Sequence, residues 1–208
     1  MHKKLSQNLV IAVNAISFGG AAIFGGIGIF AAIANFTKGS WYIYGYGIES
    51  LVSVIATSFF LAVLALLLAL LAKFTIKKIN NADLLKKTYE TLAVVTLILT
   101  TLFVAIALSV AIYALIGVGS KSIDQKELWL NGFLPALIAA VVTGTVAFIG
   151  KKVAKGKIAI LPLATNIVLG IASVSLLLMI VSTVVEIYGK SSSQKANDLY
   201  NDLYNWLY

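Results

Sequence analysis

The chain has 208 residues, of which 60% are hydrophobic and only 12% are charged. A soluble domain carries about 25% charged residues, so this composition indicates a membrane protein rather than a globular domain. The absence of cysteine excludes disulfides, thiolate metal sites and cysteine nucleophiles. The net charge of +8 comes from lysine alone, since the chain has no arginine. Lysines placed at helix ends fit anionic lipid headgroups better than nucleic acid.

Two long apolar segments open the chain, and we predict that Leu9–Phe36 and Ile48–Phe74 form the first two spans. The uncharged part of the second, Leu51–Ala72, would rise roughly 33 Å as a helix, which is the thickness of a bilayer core. The first segment carries small residues four positions apart, which let two helix backbones approach closely. These pairs are Ala21/Gly25, Ala22/Gly26 and Gly28/Ala32. The stripe is interpreted either as packing within the chain or as a dimer or partner interface.

Three further spans are predicted, at Leu92–Val118, Leu130–Gly150 and Ile158–Ile187. A lysine-rich connector, Thr75–Thr91, precedes the third span, and we expect its second half to continue as a helix. A polar turn, Gly119–Glu127, precedes the fourth span. The spans therefore form two hairpins and one additional helix, in an all-α bundle of five transmembrane helices.

The fourth span contains a proline and a second stripe of small residues. Pro135 falls in its first turns, where a missing amide hydrogen is tolerated. Ala140 and Gly144 lie four residues apart and indicate another close helix contact.

The composition changes after residue 189, so we place a transmembrane domain at residues 1–189 and a linker with a tail at residues 190–208. Leu199, Leu203 and Leu207 are spaced four residues apart, and Trp206 and three tyrosines widen the same face. This pattern predicts a C-terminal amphipathic aromatic helix that lies on the membrane or docks on a partner.

Lysines accumulate in the connectors that share one side of the membrane. The inner basic set is Lys77, Lys78, Lys86, Lys87, Lys151, Lys152, Lys155 and Lys157. Lysine excess marks the cytoplasmic side, so we predict a multi-pass protein of the cell membrane with its N-terminus inside and its C-terminus outside. The outer aromatic set is Trp41, Tyr42, Tyr44, Tyr46, Trp129 and Trp206. These aromatics are interpreted as membrane-interface anchors or as a surface for a protein partner.

No catalytic, cofactor or metal constellation is recognisable, and charged residues occur only at the ends of the predicted spans, at Glu49, Lys73 and Glu186. The polar intramembrane residues of greatest interest are Asn14 and Asn166, because a buried amide in a membrane seeks a hydrogen-bonding partner. We predict that the first and fifth spans touch, with these two side chains at similar depth. They are interpreted as links between helices or, alternatively, as a substrate site.

The layout of residues 9–152 resembles an uncharacterised bacterial family of four-helix membrane domains of unknown function. The resemblance is carried by the outer loop WYIYGYG, the basic connector KKINNADLLKK, the outer turn KSIDQKELW and a fourth helix ending in GKK. The resemblance implies the architecture of two hairpins and nothing further, because no activity is assigned to that family. The chain departs from that family in lacking arginine and in adding a fifth span and a tail.

These observations predict a non-enzymatic membrane protein without cofactors, acting as a scaffold or accessory subunit of a membrane complex. The expected partners are the lipid bilayer, anionic headgroups on the cytoplasmic side, and a protein at the outer face or a second copy of the chain. The alternative is a small transporter or channel with a polar site near the midplane.

Overall fold

The computed structural model describes residues 2–38, 51–116 and 128–189, with side chains described at 7–33, 59–116, 128–129 and 132–184. Five α-helices occupy these ranges: α1 (His2–Lys38), α2 (Leu51–Ile76), α3 (Ala82–Ile116), α4 (Leu134–Ala154) and α5 (Ile160–Gly189). All five are long and apolar enough to cross a membrane, which confirms the predicted all-α bundle with five spans. The predicted tail lies outside the described residues.

α3 is longer than the span predicted from its apolar run. It has 35 residues and begins inside the lysine-rich connector, where the side-chain oxygen of Asn81 accepts a hydrogen bond of 3.0 Å from the amide of Leu84. An asparagine in this position caps a helix N-terminus. A helix of this length rises roughly 50 Å, which exceeds the apolar thickness of about 30 Å. The second half of the connector is therefore a helical extension of the span, as expected.

A π-helical segment, Leu128–Phe133, leads directly into α4. Pro135 falls in the first turn of α4. Its ring lacks an amide hydrogen and crowds the carbonyl four residues earlier, which disrupts α-helical hydrogen bonding there. A wider π turn accommodates that mismatch without ending the helix. Trp129 lies in this segment and packs edge-on against Phe133, with ring centroids 4.9 Å apart.

The α4–α5 connection is a glycine-dependent turn. The amide of Lys157 donates to the carbonyl oxygen of Lys152 (3.1 Å). The amide of Gly156 donates to the carbonyl oxygen of Val153 (3.0 Å). This pair of bonds is the Schellman arrangement, which requires a left-handed residue after the helix. Gly156 supplies it with φ of 87°. The turn returns the chain into the bundle as α5.

The helices pack as two groups joined by α1. α1, α2 and α5 contact one another extensively, and α3 packs mainly along α4. α1 and α5 therefore touch, as predicted for the first and fifth spans. From residue 59 onward, where its side chains are described, the buried positions of α2 are alanines, at residues 62, 65, 69 and 72. Small residues bring backbones close, which replaces the hydrophobic driving force that is missing between helices in lipid.

α3 presents a large apolar surface to the outside of the bundle. Val95, Ile98 and Leu102 are each half exposed or more. A soluble monomer rarely exposes a contiguous apolar surface of this extent. The surface suits contact with lipid, in agreement with the apolar character of the helices.

Candidate functional site

A buried polar cluster joins three helices near the lysine-rich end; we call it the polar junction, comprising Asn14, Thr75, Tyr89 and the carbonyl of Ala72. Asn14 is completely buried on α1. Its Nδ2 donates to the Ala72 carbonyl oxygen (2.8 Å) and to Thr75 Oγ1 (3.0 Å), both on α2. Its Oδ1 accepts a hydrogen bond of 2.8 Å from Tyr89 Oη on α3. Both amide hydrogens and the carbonyl of the side chain are thus engaged within the chain.

The hydroxyl of Thr75 both donates and accepts in the polar junction. It donates to the carbonyl of Leu71, one helical turn earlier, at 2.7 Å. Its lone pair is therefore free to accept the hydrogen bond from Asn14. A threonine that bonds back to its own helix in this way presents an acceptor at a fixed position.

Tyr89 is positioned by packing on two sides. It is completely buried, and its ring lies against that of Phe18, with centroids 6.1 Å apart and planes tilted by 54°. On α4, Gly150 faces the backbone of α3 at this level. A Cβ at Gly150 would lie 2.9 Å from the Tyr89 carbonyl oxygen and 3.2 Å from the amide nitrogen of Ala93. The absence of a side chain at Gly150 lets α4 approach α3 beside the junction.

Asn166 does not belong to the polar junction. Gly28 on α1 lies opposite Ser175 on α5, and Gly25 lies opposite Ile171, so the two helices run parallel. This register places Asn166 about five residues, or roughly 7 Å, farther from the basic end than Asn14. The depths are similar, but Asn166 is exposed on the outside of α5, whereas Asn14 is buried and bonded to α2 and α3. The two amides thus lie at similar depth, as predicted, but they do not bond to each other.

The small residues singled out in the sequence lie between helices of the same chain. A Cβ at Gly25 would lie 3.2 Å from Ile171 on α5, and one at Gly26 would lie 2.9 Å from Val142 on α4. Gly144 faces Thr100 of α3 in the same way, at 3.5 Å. Ala21 and Ala140 are buried. These contacts favour packing within the chain as the role of both stripes.

Gly28 faces a polar side chain that has no partner. Ser175 is completely buried, and its Oγ makes no hydrogen bond to any residue that the structure describes. The hydroxyl points at the backbone of Gly28, where a Cβ would collide with it. Ser175 therefore contributes to helix contact by its small size rather than by hydrogen bonding.

The basic connectors come together at one end of the bundle, which we call the basic end. Gln7 on α1 donates to the carbonyl of Lys78 and accepts from the amide of Asn80, both at 3.3 Å. Lys86 lies beside the second connector, with Nζ 4.0 Å from where a Cβ of Gly156 would stand. The complete inner basic set lies in or next to these two connectors. Lys152 also extends over the ring of Phe148, with 5.1 Å between Nζ and the ring centroid.

The other predicted site residues are only partly described. Trp129 is just over one-third exposed, at the end of the bundle opposite the basic end. Trp41, Tyr42, Tyr44, Tyr46 and Trp206 lie outside the described residues. Within the described ranges, no three His, Asp or Glu side chains gather where they could hold a metal ion.

No pattern in the sequence indicated a role for Thr75, Gly150 or Ser175. Tyr89 was distinguishable as a tyrosine on the lysine-rich side, away from the other tyrosines. Its link to Asn14 joins positions 75 residues apart, and no local spacing encodes such a contact.

Comparison with protein-family models, curated proteins and solved structures gave no match to this chain. The fold by itself defines the class: a polytopic helical bundle with five helices able to cross a membrane. The resemblance to the bacterial four-helix family stays a prediction.

Proposed function

We propose that the protein is a non-enzymatic scaffold or accessory subunit of a membrane complex. The observation that carries the proposal is the state of Asn14, whose amide is fully occupied by Ala72, Thr75 and Tyr89. This completely buried amide thus holds helices together and offers no free donor to a solute. Such a bundle is suited to present surfaces to lipid and to other proteins.

The transporter alternative has less support. A polar site near the midplane would need unoccupied polar groups facing a common space. The hydroxyls of Thr96 and Thr165 instead donate to carbonyls of their own helices, each at 2.7 Å. The hydroxyls of Thr100 and Thr143 meet each other across α3 and α4 at 3.0 Å. Asn166, the other candidate, is exposed on the outside of the bundle.

The orientation of the protein follows from the charges. The positive-inside tendency favours a cytoplasmic location for the basic end, with the N-terminus inside and the C-terminus outside. There the lysines would meet anionic headgroups, each contributing about 1 kcal/mol near a charged membrane surface. The opposite end, which carries Trp129, would then face outward and meet a protein partner.

Co-purification tests the scaffold proposal. A tagged chain is extracted from its native membrane in mild detergent, and bound proteins are identified by mass spectrometry with a mock extract for comparison. We expect a partner in stoichiometric amount, and we expect Trp129→Ala to reduce its recovery. Phe148→Ala is the matched control, because Phe148 is an exposed aromatic of α4, the helix that follows Trp129, and lies near the basic end.

The transporter hypothesis is tested by a separate assay on the same preparation. Recovery of the chain without partners, together with solute flux across liposomes that contain only this chain, would contradict the scaffold proposal.

A further inference from the structure

α5 carries two different faces. Its buried face packs on α1 and α2 and includes Ala164, Val168 and Ala172. On the opposite face, beside Ile167, Val174 and Val181, which are also exposed, lies a three-four series that we call the outer seam: Leu163, Asn166, Gly170, Ser173, Leu177, Ile180 and Val184. All of them are exposed except Ser173, which is half-buried. Spacing of this kind is the pattern by which two helices pack along a left-handed seam.

Asn166 is a polar residue on a face that would otherwise contact only lipid. The exposed hydroxyls of Thr101, Ser109 and Thr145 each donate to a carbonyl of their own helix, at about 2.8 Å. Asn166 makes no hydrogen bond to any side chain or backbone group outside its helix ladder in the part of the chain that the structure describes. An amide without a partner is costly in hydrocarbon, where no water replaces the missing bonds. Asn166 therefore calls for a partner outside this chain.

We propose that the outer seam is the contact between two copies of this chain. Two copies insert with the same topology, so a parallel two-fold pair places both Asn166 side chains at the same depth. An asparagine side chain carries both a donor and an acceptor, so it can bond reciprocally with its own image across the axis. A different partner would need a matching polar group at that depth, whereas a second copy supplies one by symmetry.

Gly170 favours the same arrangement. It lies one helical turn from Asn166 on the outer seam, and nothing stands within 4 Å of where its Cβ would be. An exposed glycine in a membrane helix allows a second backbone to approach closely. By contrast, the glycines of the first stripe on α1, such as Gly25 and Gly26, already lie against other helices of the same chain. The pairing does not depend on the scaffold function, since a transporter could form the same dimer.

Cysteine scanning in native membranes tests the pairing, because the chain contains no cysteine of its own. Single cysteines are placed at each position of the outer seam and oxidised, and dimer yield is read on denaturing gels. Ile98 and Leu102, which are exposed on α3, are the matched control positions. We expect cross-linked dimers along α5 with the three-four period of the seam and little dimer from α3.

A second measurement distinguishes the contribution of the Asn166 amide to dimer affinity from the contribution of general packing. Asn166→Leu should raise the dimer dissociation constant about tenfold in liposomes, measured by subunit counting through photobleaching. Thr101→Leu on α3 should leave it unchanged. Because Asn166 makes no contact that the monomer needs, the unfolding of the monomer should also stay the same. Three results would each overturn the proposal: monomers at every protein-to-lipid ratio, cross-linking without the seam period, or adducts to another protein in place of dimers.

Discussion

Replacement of Asn14 by leucine is the most direct test of the polar junction. Hydrogen bonds between helices in membrane proteins contribute about 0.6 kcal/mol on average and up to about 1.7 kcal/mol. Asn14 donates two such bonds, to Ala72 and Thr75, which together contribute about 1.2 kcal/mol. Its loss also leaves the Tyr89 hydroxyl buried without an acceptor, which costs about 1–3 kcal/mol. We therefore expect Asn14→Leu to lower the free energy of unfolding by about 2–4 kcal/mol.

The assay is reversible unfolding in mixed detergent micelles, followed by far-ultraviolet circular dichroism. Tyr89→Phe removes a single donor and should cost about 1 kcal/mol. Because both changes break the same bond, the double variant should cost less than the sum of the single variants by about 1 kcal/mol. Asn166→Leu, measured at dilutions that keep the chain monomeric, is the matched control and should have no effect. A cost below about 0.5 kcal/mol for Asn14→Leu, or strictly additive effects, would refute the assignment of the junction as a link between helices.

Three further predictions concern close contacts and sidedness. Gly150→Ala should destabilise the monomer, because its Cβ would lie 2.9 Å from a backbone carbonyl oxygen of α3. Gly170→Ala should not destabilise it, since no atom lies within 4 Å of that position, and thermal unfolding compares the two variants. Gly28→Ala should destabilise the chain and Ser175→Ala should not, and the double variant should recover much of the loss, because the collision is with the serine hydroxyl. A cysteine at Lys155 should react with a membrane-impermeant maleimide only after cells are opened; labelling of intact cells would reverse the proposed orientation.

The sequence predicts the spans because charge and apolar length decide which segments can enter a bilayer. The uncharged runs and the lysine connectors between them were sufficient to predict five spans, and the helices agree with this prediction apart from their ends. The observed helix ends differ from the predicted ones for local reasons. The start of α3 extends to Ala82 because its capped, helix-favouring connector continues the span, and the start of α4 is widened by Pro135. Short-range chemistry of this kind is visible in the sequence once the neighbouring element is known.

The faces of the helices could not be predicted in the same way. In water, the buried face of a helix is recognised by its apolar residues, but lipid is as apolar as the interior of the bundle. Asn14 and Asn166 are therefore equivalent in the sequence: each is an amide within an apolar run at similar depth. Only the arrangement of neighbouring helices places one inside the polar junction and the other outside. The sequence therefore predicted the similar depth of the two amides but not that they face different surroundings.

Residue size separates the faces of α5 better than hydropathy does. The buried side contains small residues where other helices approach, such as Ala164, Ala172 and Ser175, and the exposed side is otherwise dominated by bulky apolar residues. Asn166 and Gly170 depart from this division, since both lie on the exposed side although one is a polar amide and the other has no side chain. Both residue types belong to helix interfaces in membranes, where close approach and hydrogen bonding replace the hydrophobic effect. Their position on the outer seam is explained if this face of α5 is covered by a second copy when the protein is in its membrane.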